Sequence, residues 1–277
     1  MRIDPEKCVA CGNCVAICPM GAIVIDRNTR RAVVNADECV ECYACFRGMS
    51  MERLNPMMVR AARRLLSYVR LRFDPEPDVC PTSAIVPDEL AWPRTVRRAF
   101  SDVTATHEST GIQGRGTEEV KTNDVTNRLD VGRVGFTVEL GRPGVGVRFR
   151  DVQHVTRRLA ESDVAFEEKN PITNLMVDRA TGALNPDVLG EKVMSVIIEF
   201  TVWAAGTRDA LRMLRKTASE ISTVMAIGVS VRCDEEGKTD VEMVFAEEGF
   251  ESLRAKTNLG MGRADVVLEP VGQEILA

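Results

Sequence analysis

The 277-residue chain is short of aromatics, at 5%, and holds two histidines. No apolar run approaches the ~20 residues that a bilayer span requires, so no transmembrane helix is expected. The opening Met1-Arg2-Ile3-Asp4-Pro5-Glu6-Lys7-Cys8 lacks the apolar core of a secretory signal, which leaves the cytoplasm as the default location. Basic residues are not in excess: 36 Lys and Arg against 41 Asp and Glu leave a net charge of −5. Phosphate backbones are held by basic surfaces, so a nucleic-acid partner is not expected. No flavin fingerprint is present, and no Ser/His/Asp spacing points to nucleophilic catalysis. What remains is ordinary for a soluble globular protein, with 44% hydrophobic and 28% charged residues and a length that fits two modest domains.

The cysteines are the informative residues. Eight of the nine lie within residues 8–80, and Cys233 stands apart. A dense cluster in a cytosolic chain holds metal more often than disulfides. Cys8, Cys11, Cys14 and Cys18 are spaced C-x2-C-x2-C-x3-C and followed by Pro19, the bacterial iron–sulfur run whose fourth cysteine serves a second cluster. A zinc site would more often show two pairs with a longer gap, and zinc or disulfides are the competing reading. Cys39, Cys42 and Cys45 repeat the first spacing, but Phe46-Arg47-Gly48 stands where a fourth cysteine would come. That cysteine is Cys80. Cys80-Pro81-Thr82-Ser83-Ala84-Ile85-Val86 repeats Cys18-Pro19-Met20-Gly21-Ala22-Ile23-Val24, and Asp4–Cys8 parallels Asn35–Cys39. An internal duplication is therefore split by an insertion of about thirty residues. One cluster is assigned to Cys8, Cys11, Cys14 and Cys80, and the other to Cys39, Cys42, Cys45 and Cys18.

On these motifs residues 1–90 resemble a dicluster bacterial-type ferredoxin with an insertion in its second half. The resemblance covers about a third of the chain. It implies two 4Fe–4S clusters, a pseudo-twofold fold of two short hairpins and two short helices, and one-electron transfer, usually at low potential. The small residues Ala10, Gly12, Ala16, Ala44 and Gly48 lie near the ligands, where backbone amides can approach cluster sulfurs and raise the potential.

The gap between Cys45 and Cys80, residues 46–79, holds seven arginines and no lysine. Residues 56–72 read as an amphipathic helix capped by Asn55 and opened by Pro56. Met58, Ala62, Leu65, Leu66 and Val69 fall on one side at helical spacing, and Arg60, Arg63, Arg64 and Arg70 take the rest. The expectation is a helix packed through its apolar side with a solvated basic face. A docking face for an acidic partner, or a lid over the second cluster, is the functional counterpart.

Residues 91–130 form a polar, turn-rich connector. Gly114-Arg115-Gly116 can turn amides toward an anion, although a packed linker turn is the plainer reading. Residues 114–126 resemble a segment of ferredoxin-dependent reductases of N-heterocycles, such as 6-hydroxynicotinate reductase. That resemblance implies electron delivery to a small ring, with Arg115, Glu118, Lys121, Asn123 and Asp124 as candidate site residues.

From residue 131 the pattern is strand 134–140, helix 149–161, strand 164–167, strand 192–203, a helix 208–221 capped by Thr207, and strand 225–232. A further strand is expected near 241–245. The order β-α-β-β-α-β is that of the split βαβ, or ferredoxin-like, α/β sandwich, a name for the topology alone. His154 reads as a helix residue, Cys233 as a structural thiol, and Asn258–Arg263 as a turn or an anion loop. The expected fold class is α+β: a dicluster ferredoxin domain over 1–90 with a helical insertion at 46–79, the connector 91–130, and the sandwich over 131–277 with a C-terminal extension.

Three functions fit these residues. The first is an electron-transfer subunit passing single electrons to or from a partner redox protein or larger oxidoreductase subunit. The second is a ferredoxin-dependent reductase with its site between the domains. The third is a redox-sensing small-molecule binder. The sandwich could also pair two copies of the chain, since this topology often associates through its sheet.

Overall fold

A computed structural model describes residues 1–49, 53–71, 80–117, 129–234 and 236–251. Cysteine loops leave little chain for regular structure, and the N-terminal elements are brief. They are β1 (Arg2–Ile3), α1 (Asn13–Ile17), β2 (Ile23–Asp26), β3 (Arg31–Val34), α2 (Ala44–Arg47), α3 (Pro56–Tyr68) and β4 (Ile85–Val86). β2 and β3 form an antiparallel hairpin, and β1 pairs antiparallel with β4, joining the two ends of the duplicated segment.

The duplication is written in the backbone. Ala10 and Glu41 have φ of 55° and 54°, Gly12 and Tyr43 88° and 59°, and Gly21 and Ser83 61° and 52°. Left-handed geometry costs a residue with a Cβ about 1 kcal/mol or more. Tyr43 is held there by its neighbours: its ring meets Phe46 edge-on, and the Arg98 guanidinium lies 4.7 Å over its face. Asp4 accepts from the amides of Glu6 and Lys7, and Asn35 repeats this with Asp37 and Glu38.

The insertion is helical where expected. Asn55 caps α3 by accepting from the amides of Met57 and Met58, and Pro56 opens it. Its orientation differs from the expected one. Val59 is its one buried residue, while Met58, Leu65 and Val69 are exposed. Arg60 and Arg63 turn inward: Arg60 donates to the carbonyls of Glu6 and Cys8, and Arg63 to that of Ala10 at 3.2 Å. The loop carbonyls at 6, 8 and 10 need donors, and the guanidiniums supply them. Charge-assisted bonds of this kind contribute about 1.5–3 kcal/mol each, against roughly 1.5 kcal/mol for burying one valine. Polar contacts therefore set the face. α3 lies on the loop of the first cysteine run, so the expectation of a lid over the second is also corrected.

The connector contains a helix that the polar composition hid. In α4 (Thr95–Ser101), Val96 and Phe100 are buried at helical spacing and Arg97 is buried between them. Beyond it, Gly114 and Gly116 have φ of 72° and 76°. A Cβ on Gly116 would lie 2.5 Å from His107 and Pro171, whereas one on Gly114 would meet nothing within 4 Å. Gly116→Ala is expected to destabilise the fold by about 3 kcal/mol, and Gly114→Ala by about 1 kcal/mol. Denaturant unfolding of both variants checks this; equal losses would mean that strain alone acts at Gly116.

The C-terminal part comprises β5 (Arg133–Leu140), β6 (Val147–Arg148), α5 (Phe149–Ala160), β7 (Ala165–Phe166), α6 (Pro171–Asn174), β8 (Met176–Asp178), β9 (Ala183–Leu184), β10 (Lys192–Val193), β11 (Val196–Trp203), α7 (Thr207–Ala218), β12 (Met225–Val231) and α8 (Val241–Glu247). Four strands form one antiparallel sheet in the order β12-β5-β11-β7. Alternate residues Val134, Phe136, Val138 and Leu140 of β5 join Val196, Ile198, Phe200 and Val202 of β11 in the core, with Val152, Val155 and Leu159 of α5 and Leu211 and Leu214 of α7. Phe136 and Phe200 stack at its centre, 5.0 Å apart.

Three details differ from the sequence reading. The expected strand over 192–203 breaks at residues 194–195, where the Met194 amide donates to Ser101 Oγ. Thr207 does not cap α7; Gly206 holds that position, and the buried Thr207 hydroxyl has no hydrogen-bond partner. Residues 241–245 are helical, because Val241, Val244 and Phe245 meet the core at i, i+3 and i+4, and Arg208 and Arg212 hold Glu248 beyond the helix end. The loop 170–190 carries α6 and the β8–β9 hairpin. Asn258–Arg263 lies outside the described residues. His154 is a half-exposed helix residue, its Nε2 2.7 Å from Glu220. Among the described residues no helix is long and apolar enough to cross a membrane.

Candidate metal centres

Each half of the duplication folds its cysteines around a cavity. One is lined by Cys8, Cys11, Cys14 and Cys80 with Ile3, Ala32 and Ile85. The other is lined by Cys18, Cys39, Cys42 and Cys45 with Ile23, Val34 and Tyr43. Each therefore has three walls from one cysteine run and a fourth from the Cys-Pro of the other. Cys8, Cys14, Cys45 and Cys80 share one apolar cluster, so the cavities are neighbours.

The electrostatics explain what such a cavity wants. Burial pushes the Cys14 thiol up to about 12, helped by Cys11, Cys8 and Cys80, and pushes Cys45 up to about 12, helped by Cys42, Cys39 and Cys18. Burial also raises Cys11, Cys39 and Cys42, opposed by the backbone amides of Asn13, Glu41 and Ala44. Four thiolates so placed repel one another and need a compensating positive charge, which bound iron provides. Among the described residues, no three His, Cys, Asp or Glu side chains are gathered as a single metal ion needs. The thiols are instead spread around the walls of a larger space, which suits a cluster.

Backbone amides also point at the sulfurs of Cys18, Cys80 and Cys8. Ala22 donates to Cys18 Sγ at 3.3 Å, Ala84 to Cys80 Sγ at 3.2 Å and Ala32 to Cys8 Sγ at 3.3 Å. The first two are equivalent positions of the duplication. Of the small residues expected near the ligands, Ala44 faces a thiol, that of Cys42, while the three sulfur bonds come from alanines four residues after each Cys-Pro cysteine and on β3.

Arginines from outside the repeats hold both loops. Arg60 donates to the Cys8 carbonyl at 3.1 Å. At the equivalent place Arg97 donates to Cys39 and Asp37 carbonyls at 2.8 Å and to that of Ala36 at 3.0 Å, while also pairing with Glu191. Arg47 donates to the Cys42 carbonyl at 2.7 Å and pairs with Asp102. Glu41, which replaces Ala10 of the first half, is buried and accepts from Arg94 at 2.6 Å and from the Met1 amino group. The second cysteine loop is also tied to the antiparallel pair β6 and β10 of the C-terminal part, with Asp37 and Glu38 holding Arg148, and Glu38 pairing with Lys192. Sequence reasoning missed Arg97. Its signal was its place beside Val96 on the helix face that Val96 and Phe100 bury.

Residues 1–48 match the family model of the 4Fe-4S dicluster domain. Over 42 residues the chain is 48% identical to Ferredoxin-1 of Rhodobacter capsulatus and 43% identical to the ferredoxin-like protein in vnf region of Azotobacter chroococcum. Each match covers 15% of this chain and 62% of the relative. No solved structure matches the chain. The matched dicluster domain carries two 4Fe–4S clusters and with them iron–sulfur electron transfer, and Cys8, Cys11, Cys14 and Cys18 are candidate ligands within it.

Of the five candidate residues in the connector, only Arg115 is among those described. Its guanidinium pairs with Glu139 at 2.8 Å, and the flanking Gly116 packs on His107. The turn is packed, with its arginine engaged by Glu139. Glu118, Lys121, Asn123 and Asp124 lie outside the described residues.

Proposed function

We propose that the chain is the electron-transfer subunit or module of an oxidoreductase, relaying single electrons to or from a partner redox protein. The observation that carries this reading is the pair of neighbouring cavities, each walled by four cysteines of crossed origin. In this reading Cys8, Cys11, Cys14 and Cys80 hold one cluster, and Cys39, Cys42, Cys45 and Cys18 hold the other. When bound, a 4Fe–4S cluster accepts and returns one electron. The chain's own residues do the rest. Ile3, Ile23, Ile85 and Val34 line the cavities with apolar surface, and the amides of Ala22, Ala32 and Ala84 favour added charge on the sulfurs.

The units of this reading are a cluster unit over 1–90, a connector over 91–130 and a split βαβ sandwich over 131–277. The sandwich assignment is supported by the strand order β12-β5-β11-β7 and the placement of α5 and α7 in one core. Its role here is to fix the second cysteine loop through Arg148 and Lys192, and through Glu191, which holds Arg97 of the connector, a docking and assembly role that needs no substrate pocket.

Anaerobic titration with reduced viologen tests the relay. The holo-protein is expected to take up two electrons per chain, one per cluster, and to give them to a soluble acceptor protein. Uptake without onward transfer, or turnover of a small substrate by the chain alone, would contradict it.

A further inference from the structure

We propose that the outward face of α3 docks the redox partner, a protein whose contact surface has an apolar centre and an acidic rim. This rests on the relay reading and adds the place of contact and the partner's chemistry.

Met57, Met58, Leu65, Tyr68, Val69 and Leu71 are each 60–79% exposed. Exposed apolar residues are ordinary when scattered. These are not scattered: at 100° per residue, Met57, Tyr68, Leu65, Met58 and Val69 follow one another along a single stripe of the helix. A contiguous apolar stripe on a surface helix marks an interaction site. The opposite side of α3 is already engaged, through Val59, Arg60 and Arg63, so the stripe is left by the rotation of the helix.

Charge selects the occupant. Residues 53–71 hold five arginines and no acidic residue, on a chain whose net charge is −5. Arg60 and Arg63 face inward, while Arg53, Arg64 and Arg70 remain exposed, Arg64 along the edge of the stripe and Arg53 and Arg70 beyond the two ends of the helix. This is a local basic rim on an acidic protein, complementary to an acidic surface and able to steer its approach. A lipid surface fits less well, because the net charge repels anionic headgroups and the stripe holds neither tryptophan nor phenylalanine. Position adds the functional reason. Arg60 and Arg63 touch the carbonyls of Cys8 and Ala10, so a partner seated on α3 lies about one helix diameter, roughly 10 Å, from the first cysteine loop.

The test uses the reconstituted full chain and two triple variants: Arg53→Glu/Arg64→Glu/Arg70→Glu, and Met58→Ser/Leu65→Ser/Val69→Ser. All six positions are exposed, so folding tolerates them. Stopped-flow reoxidation of the reduced protein by flavodoxin, an acidic acceptor, is compared with reoxidation by cytochrome c, a basic one. The charge-reversed variant is expected to react with flavodoxin about tenfold more slowly, with its salt dependence lost, and no more slowly with cytochrome c. The serine variant is expected to slow with flavodoxin and keep its salt dependence. Unchanged flavodoxin rates in both variants would overturn the proposal. So would loss, in the variants, of wild-type binding to phosphatidylglycerol vesicles, or loss of wild-type self-association in sedimentation, since either names another occupant. Viologen separates the two claims. Reduction of every variant to the wild-type extent leaves the relay intact whatever the surface does, whereas failure to reduce the wild type removes the relay reading and this inference with it.

Discussion

Cys80→Ala is expected to remove the cluster of the cavity lined by Cys8, Cys11 and Cys14, and to leave that of Cys39, Cys42 and Cys45 in place. Iron should fall from about eight to about four per chain, or to about seven if a 3Fe centre survives. The reason is topological. Cys80 is separated from Cys45 by 34 intervening residues, yet β4 pairs with β1 and carries Cys80 back to the first loop. Cys18→Ala should do the reverse, because Cys18 closes the cavity of the second run. The two variants together make a cross-over experiment read by electron paramagnetic resonance of the reduced state. Loss confined to the cavity of Cys39, Cys42 and Cys45 in Cys80→Ala would refute the crossed arrangement. Equal loss of both signals in both variants would mean that the clusters assemble only as a pair.

Arg97→Ala is expected to lower the reduction potential of the second centre and to loosen its loop from Glu191 in the C-terminal part. Arg97 is 4% exposed and meets three loop carbonyls and Glu191 at once. Removing a buried partner of a charge pair costs about 3–5 kcal/mol, here by stranding Glu191 and the carbonyls of Ala36, Asp37 and Cys39. A positive charge lost within about 10 Å, at an effective dielectric near 20, changes the energy of a one-electron step by about 1.7 kcal/mol, or about 70 mV. The shift is downward, because a cation stabilises the reduced, more negative centre. Redox titration of each signal, with denaturant unfolding alongside, checks both parts. A shift in the centre served by Cys80 but not in its neighbour would place the effect elsewhere. Arg97→Lys should restore part of the potential but not the three-carbonyl clasp.

The cysteine chemistry was legible from spacing because ligand geometry imposes it. The repeated Cys-Pro-x-x-Ala-Ile-Val reached across the insertion to Cys80, which lines the cavity of the first run. The C-terminal elements were legible from alternation in β5 and β11 and from helical spacing in α5. Two failures have one cause. On α3 and α4, periodicity gave the helix or its signal, but polar bonding decided which face turned inward. Arg60, Arg63 and Arg97 are drawn in by loop carbonyls that a linear pattern does not display. At residues 241–245 the run Val-Glu-Met-Val-Phe fits both periods, and contact of Val241, Val244 and Phe245 with the core settled it as helix.

The central claim is that eight cysteines of this chain hold two cubane clusters that cycle by one electron each. Mössbauer spectroscopy of the 57Fe-reconstituted full chain, oxidised and then fully reduced, tests it most directly. The account predicts about eight iron per chain, all in diamagnetic 4Fe–4S form when oxidised, with both clusters converting to the paramagnetic state on addition of two electrons. Four iron per chain, a zinc-filled protein that takes up no iron, or uptake of a single electron would contradict it.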